Sequence, residues 1–238
     1  MDSSTIFPLK SLMNKLVALV FTAGFSMMSV AVTERDFLRG AQNGDIDTVY
    51  TALQQGVNVS ARSADTTTAL QWAVQGNHID IVELLLSNGV DAKTANRYGV
   101  TAAALAAENG NAKIMNMLLS AGVDPNQSMP EGETLLMTAA RTGNAATVRM
   151  LLEQGANPNN RENSRGQTAL MWAAGHNNVD AIRVMAEFNV NVNVKTDNPT
   201  RIADRVFQYT PPTGFSALSF AVRSGHKEAT DALLDNGA

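Results

Sequence analysis

Residues 68–89 read TALQWAVQGNHIDIVELLLSNG, and this stretch decides the fold. Thr68 can cap a helix through its hydroxyl, and the apolar residues after it form a helix too short to be stable alone. Further on, Ile81 and Leu85 share one helical face at i,i+4 spacing. Gly89 supplies the left-handed residue that ends a helix. The stretch therefore predicts two short helices whose apolar faces must be buried against neighbours.

The same two-helix pattern recurs along the chain at a nearly constant spacing. Second apolar segments that end in glycine return as Met117–Gly122 and Met150–Gly155, and an earlier copy over residues 41–58 lacks only the first block. Self-similarity with a period of about 33 residues is the signature of a solenoid. The sequence therefore predicts an all-α array of about six helix-turn-helix units. The first helices should begin at Thr68, Thr101, Thr134, Thr168 and Ser216, and only the last of these intervals is clearly longer than the others.

Residues that allow tight turns stand between the two helices of each unit. Most units have a glycine there, and Asn77 replaces it in one of them. Asparagine tolerates the left-handed conformation next best after glycine. We therefore expect a left-handed residue at each of these turns. The predicted turn glycines are Gly44, Gly110, Gly143 and Gly225.

The period and the blocks resemble the ankyrin repeat. Its pattern runs Gly-x-Thr-Pro-Leu-His-x-Ala-Ala, then Gly-His, then Leu-Leu-Leu-x-x-Gly-Ala-Asp-Val-Asn. The resemblance extends from Glu34 to Ala238. It implies an ankyrin-repeat solenoid with hairpin-like loops, whose function is protein–protein recognition. In this family, the binding surface is the concave face formed by the first helices and the loop tips.

Two departures from the family pattern concern the stability and the ends of the array. The family's proline is absent from every block, and its histidine, which joins a hydrogen-bond network between repeats, is replaced each time. We therefore expect an array less stable than a consensus one. The first copy has a polar first helix, as a terminal cap requires, whereas the last repeat stops inside the motif at residues 234–238, which suggests a fragment or a frayed helix. The residues that replace the histidine are Gln71, Ala104, Met137, Met171 and Ser219.

Residues 1–31 have the pattern of a signal peptide. Lys10 and Lys15 precede an apolar run over residues 16–25, and the small residues Ser29 and Ala31 follow. We expect cleavage after Ala31, a mature domain over residues 32–238, and export to the periplasm of a bacterial host. The alternative is an uncleaved anchor, because the stretch over residues 16–32 reaches the short limit for a membrane span. Contact with a membrane is expected only in that case.

The candidate partner-binding residues lie in loops. Where the spacing between blocks grows, an extended loop over residues 195–212 is predicted. Long loops are more often functional or disordered than neutral, and arginine and tyrosine are enriched in binding hot spots. The alternative is an insertion whose aromatic residues only cover the groove. Two shorter loop tips carry similar residues. The full candidate set is Arg97, Tyr98, Arg161, Arg165, Arg201, Arg205, Phe207 and Tyr209.

The composition argues against several other functions. The chain has no cysteine, which excludes disulfides and thiolate metal sites, and its net charge of -4 gives no basic excess for nucleic acid. His78 and His226 fall in helix–helix turns, where the family often has a structural histidine. No catalytic or phosphate-binding motif is present, so we predict no enzyme activity, cofactor or metal site. We expect a protein partner, which the sequence does not identify. The alternatives are a targeting arm of a longer enzyme, and an inhibitor or immunity factor for an exported protein.

Overall fold

A computed structural model of the chain describes residues 31–197 and 214–238. These residues form twelve helices in six pairs and no sheet, which confirms the predicted all-α array of helix-turn-helix units. The predicted signal segment, apart from Ala31, and residues 198–212 of the predicted loop lie outside the described residues. The helices are α1 (Glu34–Asn43), α2 (Ile46–Gln54), α3 (Ala69–Gln75), α4 (Ile79–Ser87), α5 (Ala102–Asn109), α6 (Ala112–Ser120), α7 (Leu135–Thr142), α8 (Ala145–Glu153), α9 (Ala169–Gly175), α10 (Val179–Ala186), α11 (Ala217–Arg223) and α12 (Lys227–Asp235).

The first helices begin where the sequence predicts them. The hydroxyls of Thr68, Thr101, Thr134 and Ser216 each accept a hydrogen bond from the backbone amide three residues later, as helix caps do. Thr168 differs: its backbone has the extended cap conformation, but its side chain makes no capping hydrogen bond with the described residues. These caps satisfy amide groups that would otherwise lack a partner at the start of each helix.

The left-handed residues between paired helices are confirmed. Gly143 has φ +78 between α7 and α8, and Asn77 has φ +57 at the corresponding position between α3 and α4. Asn177, with φ +57, takes this place in the fifth pair. Each turn reverses the chain within a few residues, so the two helices of a pair pack directly against each other.

The hydrophobic core runs through the array as a stack of equivalent side chains. Leu85, Leu118 and Leu151, one from each of three successive second helices, are completely buried. Each helix contacts its own partner and the corresponding helices of adjacent pairs. Burying a leucine contributes about 1.5–3 kcal/mol, and in a solenoid this energy is shared between neighbours. The first helices supply small side chains, and five of the eight residues of α5 are buried alanines.

A glutamine takes over part of the hydrogen-bond network that the missing family histidine would make. The Gln71 Nε2 atom donates to the carbonyl oxygens of Val100, at 2.7 Å, and Thr94, at 3.2 Å, both in the next loop. Ala104 cannot make such bonds, but Gln127 Nε2 donates to the Thr101 hydroxyl at 2.7 Å from the following loop. At these two positions the inter-repeat links that we expected to be lost are therefore replaced by other side chains.

Polar residues at the start of the second helices form further links between repeats. Asn144 Nδ2 donates to the Gly110 carbonyl at 2.6 Å, and Asn178 Nδ2 donates to the Ala140 carbonyl at 2.7 Å. The structural role expected for His78 and His226 is confirmed, since each ring Nε2 lies 3.1–3.2 Å from a carbonyl oxygen of the preceding repeat. These bonds satisfy carbonyl groups at the ends of the first helices.

Candidate binding surface

The loops between successive helix pairs are hairpin-like, as the resemblance implies. We call them fingers: finger 1 spans residues 57–67, finger 2 spans 90–100, finger 3 spans 123–133 and finger 4 spans 156–167. Isolated antiparallel bridges close the first three fingers, at Arg62 with Thr68, Ala95 with Thr101, and Ser128 with Thr134. Each of these three fingers thus leads directly into the capped start of the next first helix.

The tip of finger 2 is held by a single asparagine side chain. The Asn96 carbonyl Oδ1 accepts hydrogen bonds from the backbone amides of Tyr98, at 3.0 Å, and Val100, at 3.1 Å. Its Nδ2 atom also donates to the Thr67 hydroxyl of finger 1, at 3.4 Å. The backbone around Tyr98 is therefore ordered from within the finger and from its neighbour.

Finger 4 is organised around the buried carboxylate of Glu162. This side chain accepts hydrogen bonds from the Ser164 hydroxyl, at 2.5 Å, and from the backbone amides of Ser164, Arg165 and Gln167, at 2.5–3.0 Å. Burial by itself would raise the pKa of Glu162, but these hydrogen bonds outweigh burial and lower it. The charged carboxylate therefore stabilises the folded finger.

This arrangement predicts an acid-sensitive contribution to stability. Because the pKa of Glu162 is lower in the folded state, its stabilisation is complete above the ordinary value of 4.5 and is lost as pH falls through the folded pKa. We expect Glu162→Gln to reduce the free energy of unfolding by about 1–3 kcal/mol at neutral pH. The difference between the wild-type and variant stabilities should begin to shrink as pH falls below about 4.5 and should disappear below the lowered pKa of Glu162.

Chemical denaturation at a series of pH values measures this effect. The exposed Glu153 on α8 provides the matched control, and Glu153→Gln should lie close to the wild type at every pH. A constant difference between Glu162→Gln and the wild type across the acid range would contradict the role assigned to the charge.

Neighbouring fingers are also connected to one another. The Arg97 guanidinium and backbone amide of finger 2 donate to the carbonyl oxygens of Ala64 and Asp65 in finger 1. The Arg161 guanidinium of finger 4 pairs with the Asp197 carboxylate at 2.7 Å. This ion pair is exposed and contributes little energy by itself, but with the backbone hydrogen bonds it fixes the spacing of the fingertips.

The structure places the predicted partner-binding residues in two groups. Tyr98 is 68% exposed at the tip of finger 2, beside Arg97, which is bound to finger 1. Arg161 and Arg165 are both exposed on finger 4. Whether any of them contacts a partner stays a prediction, and the four candidates of the extended loop lie outside the described residues. Those four are Arg201, Arg205, Phe207 and Tyr209.

A row of half-buried residues continues this surface along the first helices. Trp72 and Trp172 are each partly buried and partly accessible. The Arg141 guanidinium lies 5.9 Å from the centre of the Trp172 ring and pairs with Glu108 at 2.5 Å. We call the surface formed by the first helices and the fingers the finger–helix face.

Sequence reasoning missed a cleft at the N-terminal end of this face. A cavity of about 450 Å³ lies between α1, finger 1 and Trp72, and its lining includes Arg35, Arg39 and Arg62. The polar residues of α1 were interpreted only as a terminal cap. One signal was present: Arg39 stands one repeat length before Trp72, and so takes the corresponding place on its helix.

The described residues offer no metal site and no membrane span. They contain no cluster of His, Asp and Glu side chains arranged to hold a metal ion. His176 Nδ1 lies 2.8 Å from the Trp172 carbonyl oxygen of its own helix. Within the same part of the chain, no helix combines the length and the apolar character needed to cross a membrane.

The fold and this surface define a helical repeat protein with an open, solenoid-type binding face. The family profile of ankyrin repeats matches residues 37–129, 105–198 and 136–238, so the chain belongs to the ankyrin-repeat family. A crystal structure of an ankyrin repeat domain from Acinetobacter baumannii AYE is similar, with 27% identity and a TM-score of 0.71 over 85% of this chain and 97% of that chain. No curated protein matches the chain. Ankyrin repeats are generally protein–protein interaction modules, and typically not enzymes.

Proposed function

We propose that this protein is an exported ankyrin-repeat module that binds a protein partner through its finger–helix face. The observation that carries this proposal is Tyr98, which is 68% exposed at the tip of an ordered finger. A tyrosine exposed to this degree contributes little to the core, whereas tyrosine is enriched in binding hot spots. Its ring and hydroxyl supply apolar contact area and a hydrogen-bonding group together.

The order of the fingers supports binding without a large entropic cost. Finger 2 is fixed by Asn96 and by the contacts of Arg97 with finger 1, and finger 4 is fixed by Glu162. A surface that is already ordered before binding loses less conformational freedom when a partner docks. The sequence of residues 1–31 supports the export part of the proposal, because it has the pattern of a signal peptide.

Replacing Tyr98 tests the binding surface directly. We expect Tyr98→Ala to weaken partner binding at least about tenfold, or ~1.4 kcal/mol, because it removes an exposed anchor without opening the core. The full chain with a C-terminal tag is used to capture partners from separate periplasmic and cytoplasmic extracts. The captured protein is identified by mass spectrometry, and its affinity is then measured by titration.

Tyr50 offers a matched control, since it is 46% exposed but lies on the second helix α2, away from the fingers. Tyr50→Ala should bind the partner as the wild type does. Equal losses in both variants, or no loss in Tyr98→Ala, would contradict the assignment of the face. Capture of only cytoplasmic proteins would contradict export.

A further inference from the structure

The cleft between α1 and finger 1 combines positive charge with an apolar wall. Three arginines line it, Arg35 and Arg39 from α1 and Arg62 from finger 1, and one carboxylate, Glu34. The chain as a whole carries a net charge of -4. The positive charge is therefore a local concentration and does not reflect an overall basic composition.

Within the described residues, none of the three guanidinium groups forms a direct ion pair, although Asp36 interacts electrostatically with Arg35 and Arg39, and Asp91 with Arg62. All three arginines are exposed. The nearby Asp36 carboxylate is engaged in capping α1, where it accepts hydrogen bonds from the backbone amide and hydroxyl of Thr33. Five N–H donors on each guanidinium are thus directed largely to solvent.

The apolar part of the cleft comes from Trp72 and Leu38. Both side chains line the cavity and are half-buried, so they pack against the core and still present an accessible surface. A cavity of about 450 Å³ falls within the range of pockets that bind small ligands or a few side chains. The cleft therefore combines an apolar contact surface with several guanidinium groups that can bind carboxylates on either side of it.

We propose that this cleft binds an acidic peptide segment of the partner protein, in which aspartate or glutamate residues flank an aromatic or aliphatic side chain. The inference rests on the proposed function, because it specifies the chemistry of one part of the finger–helix face. Guanidinium groups match carboxylates in a planar, bidentate geometry, and Trp72 supplies a ring on which the apolar side chain packs. The complementary charges would also accelerate association with the segment.

Charge distinguishes this occupant from a nucleic acid. A nucleic-acid surface needs unpaired basic residues along an extended stripe. Elsewhere on this face Arg141 pairs with Glu108 and Arg161 pairs with Asp197, and the protein as a whole is acidic. A short acidic segment can place its carboxylates within the cleft. A long polyanion would extend along the rest of the face, where Glu108 and Glu131 are exposed.

Peptide selection tests the proposal even before the partner is identified. A random peptide library displayed on phage is selected on the full chain, immobilised through a C-terminal tag. We expect the selected peptides to share acidic residues next to an aromatic or aliphatic residue. Their affinity, measured by fluorescence anisotropy, should fall at least about tenfold in the Arg35→Gln/Arg39→Gln/Arg62→Gln variant and should decrease as salt is raised.

A control variant with the same net charge as the cleft triple variant distinguishes binding by the cleft arginines from an effect of the protein's overall charge. Lys113, Arg183 and Lys227 are exposed on the second helices, and replacing all three by glutamine lowers the net charge by the same amount. This control should bind the peptides nearly as the wild type does. Thermal melting verifies that both triple variants are folded, and the single variant Arg39→Gln replaces the cleft triple if that variant is not folded.

The other outcomes are distinguishable. If the peptides lose affinity equally in both triple variants, the proposed cleft site is overturned, because only the net charge would then determine the affinity. Selected peptides without acidic residues, whose binding requires Tyr98 but not the arginines, would overturn the acidic segment and leave the proposed function standing. Failure to select any peptide would also overturn the cleft, while capture of a partner from extracts decides the proposed function separately.

Discussion

Replacing Leu85 by aspartate is expected to unfold the N-terminal repeats at ambient temperature. Leu85 is completely buried in α4, which packs against α3, α2 and α6. An uncompensated buried charge costs about 3–5 kcal/mol, and the lost leucine contacts add about 2–5 kcal/mol. The sum approaches the whole stability of a typical domain, about 5–15 kcal/mol. Because each repeat is stable only through its neighbours, the damage should spread to both sides of α4.

Circular dichroism and thermal melting measure this effect. We expect a large loss of helical signal at ambient temperature and no native melting transition. Leu234, which is 53% exposed on α12, provides the control for the same chemical change, and Leu234→Asp should melt close to the wild type. A native melting temperature in Leu85→Asp would contradict both the burial of this side chain and the coupling between repeats.

The parts of the fold that sequence reasoning predicted are those that depend on local geometry. Thr68 and Thr134 cap helices because a hydroxyl at that position reaches an amide three residues later. Asn77 and Gly143 occupy left-handed turns because few other residues tolerate them. Repetition of these local signals at one spacing then determines the array, since each unit must bury its apolar face against the next.

Contacts between repeats were harder to predict, because they join residues about one repeat apart that have no fixed pattern. The family histidine is absent, and the sequence does not show that Gln71 reaches the Val100 carbonyl in its place. The pairing of Arg161 with Asp197 likewise depends on how two fingers are aligned. Different residues make these links in different repeats, so a comparison of equivalent positions along the sequence does not reveal them.

The candidate site was predicted only in part for the same reason. Tyr98 could be recognised because an aromatic residue at a loop tip has no obvious partner in the core. The cleft could not be recognised from the sequence, because its arginines come from α1 and from finger 1. Only the packing of these elements brings the arginines together with Trp72. A polar first helix is equally well explained by its terminal position.

Replacing Gly143 by alanine is the second change expected to have a large effect. Gly143 has φ +78, and an L-residue in the left-handed conformation costs about 1–2 kcal/mol. An added Cβ would also lie 2.6 Å from Asn178 Oδ1. The Asn178 side chain would have to move, and its hydrogen bonds to the carbonyl oxygens of Ala140 and Arg141 would be lost. At about 0.5–1.5 kcal/mol for each bond, the total loss should be about 2–5 kcal/mol.

Gly155 separates the two causes, because its φ is +89 but an added Cβ there meets no atom of the described residues within 4 Å. Gly155→Ala should therefore lose only the conformational part, about 1–2 kcal/mol. Urea denaturation of both variants gives the difference, which we expect to be about 2 kcal/mol. Equal losses would mean that the Asn178 link contributes nothing to stability. Adding Asn178→Ala to Gly143→Ala provides a further check: the second change should cost little, since residues that share one interaction are not additive.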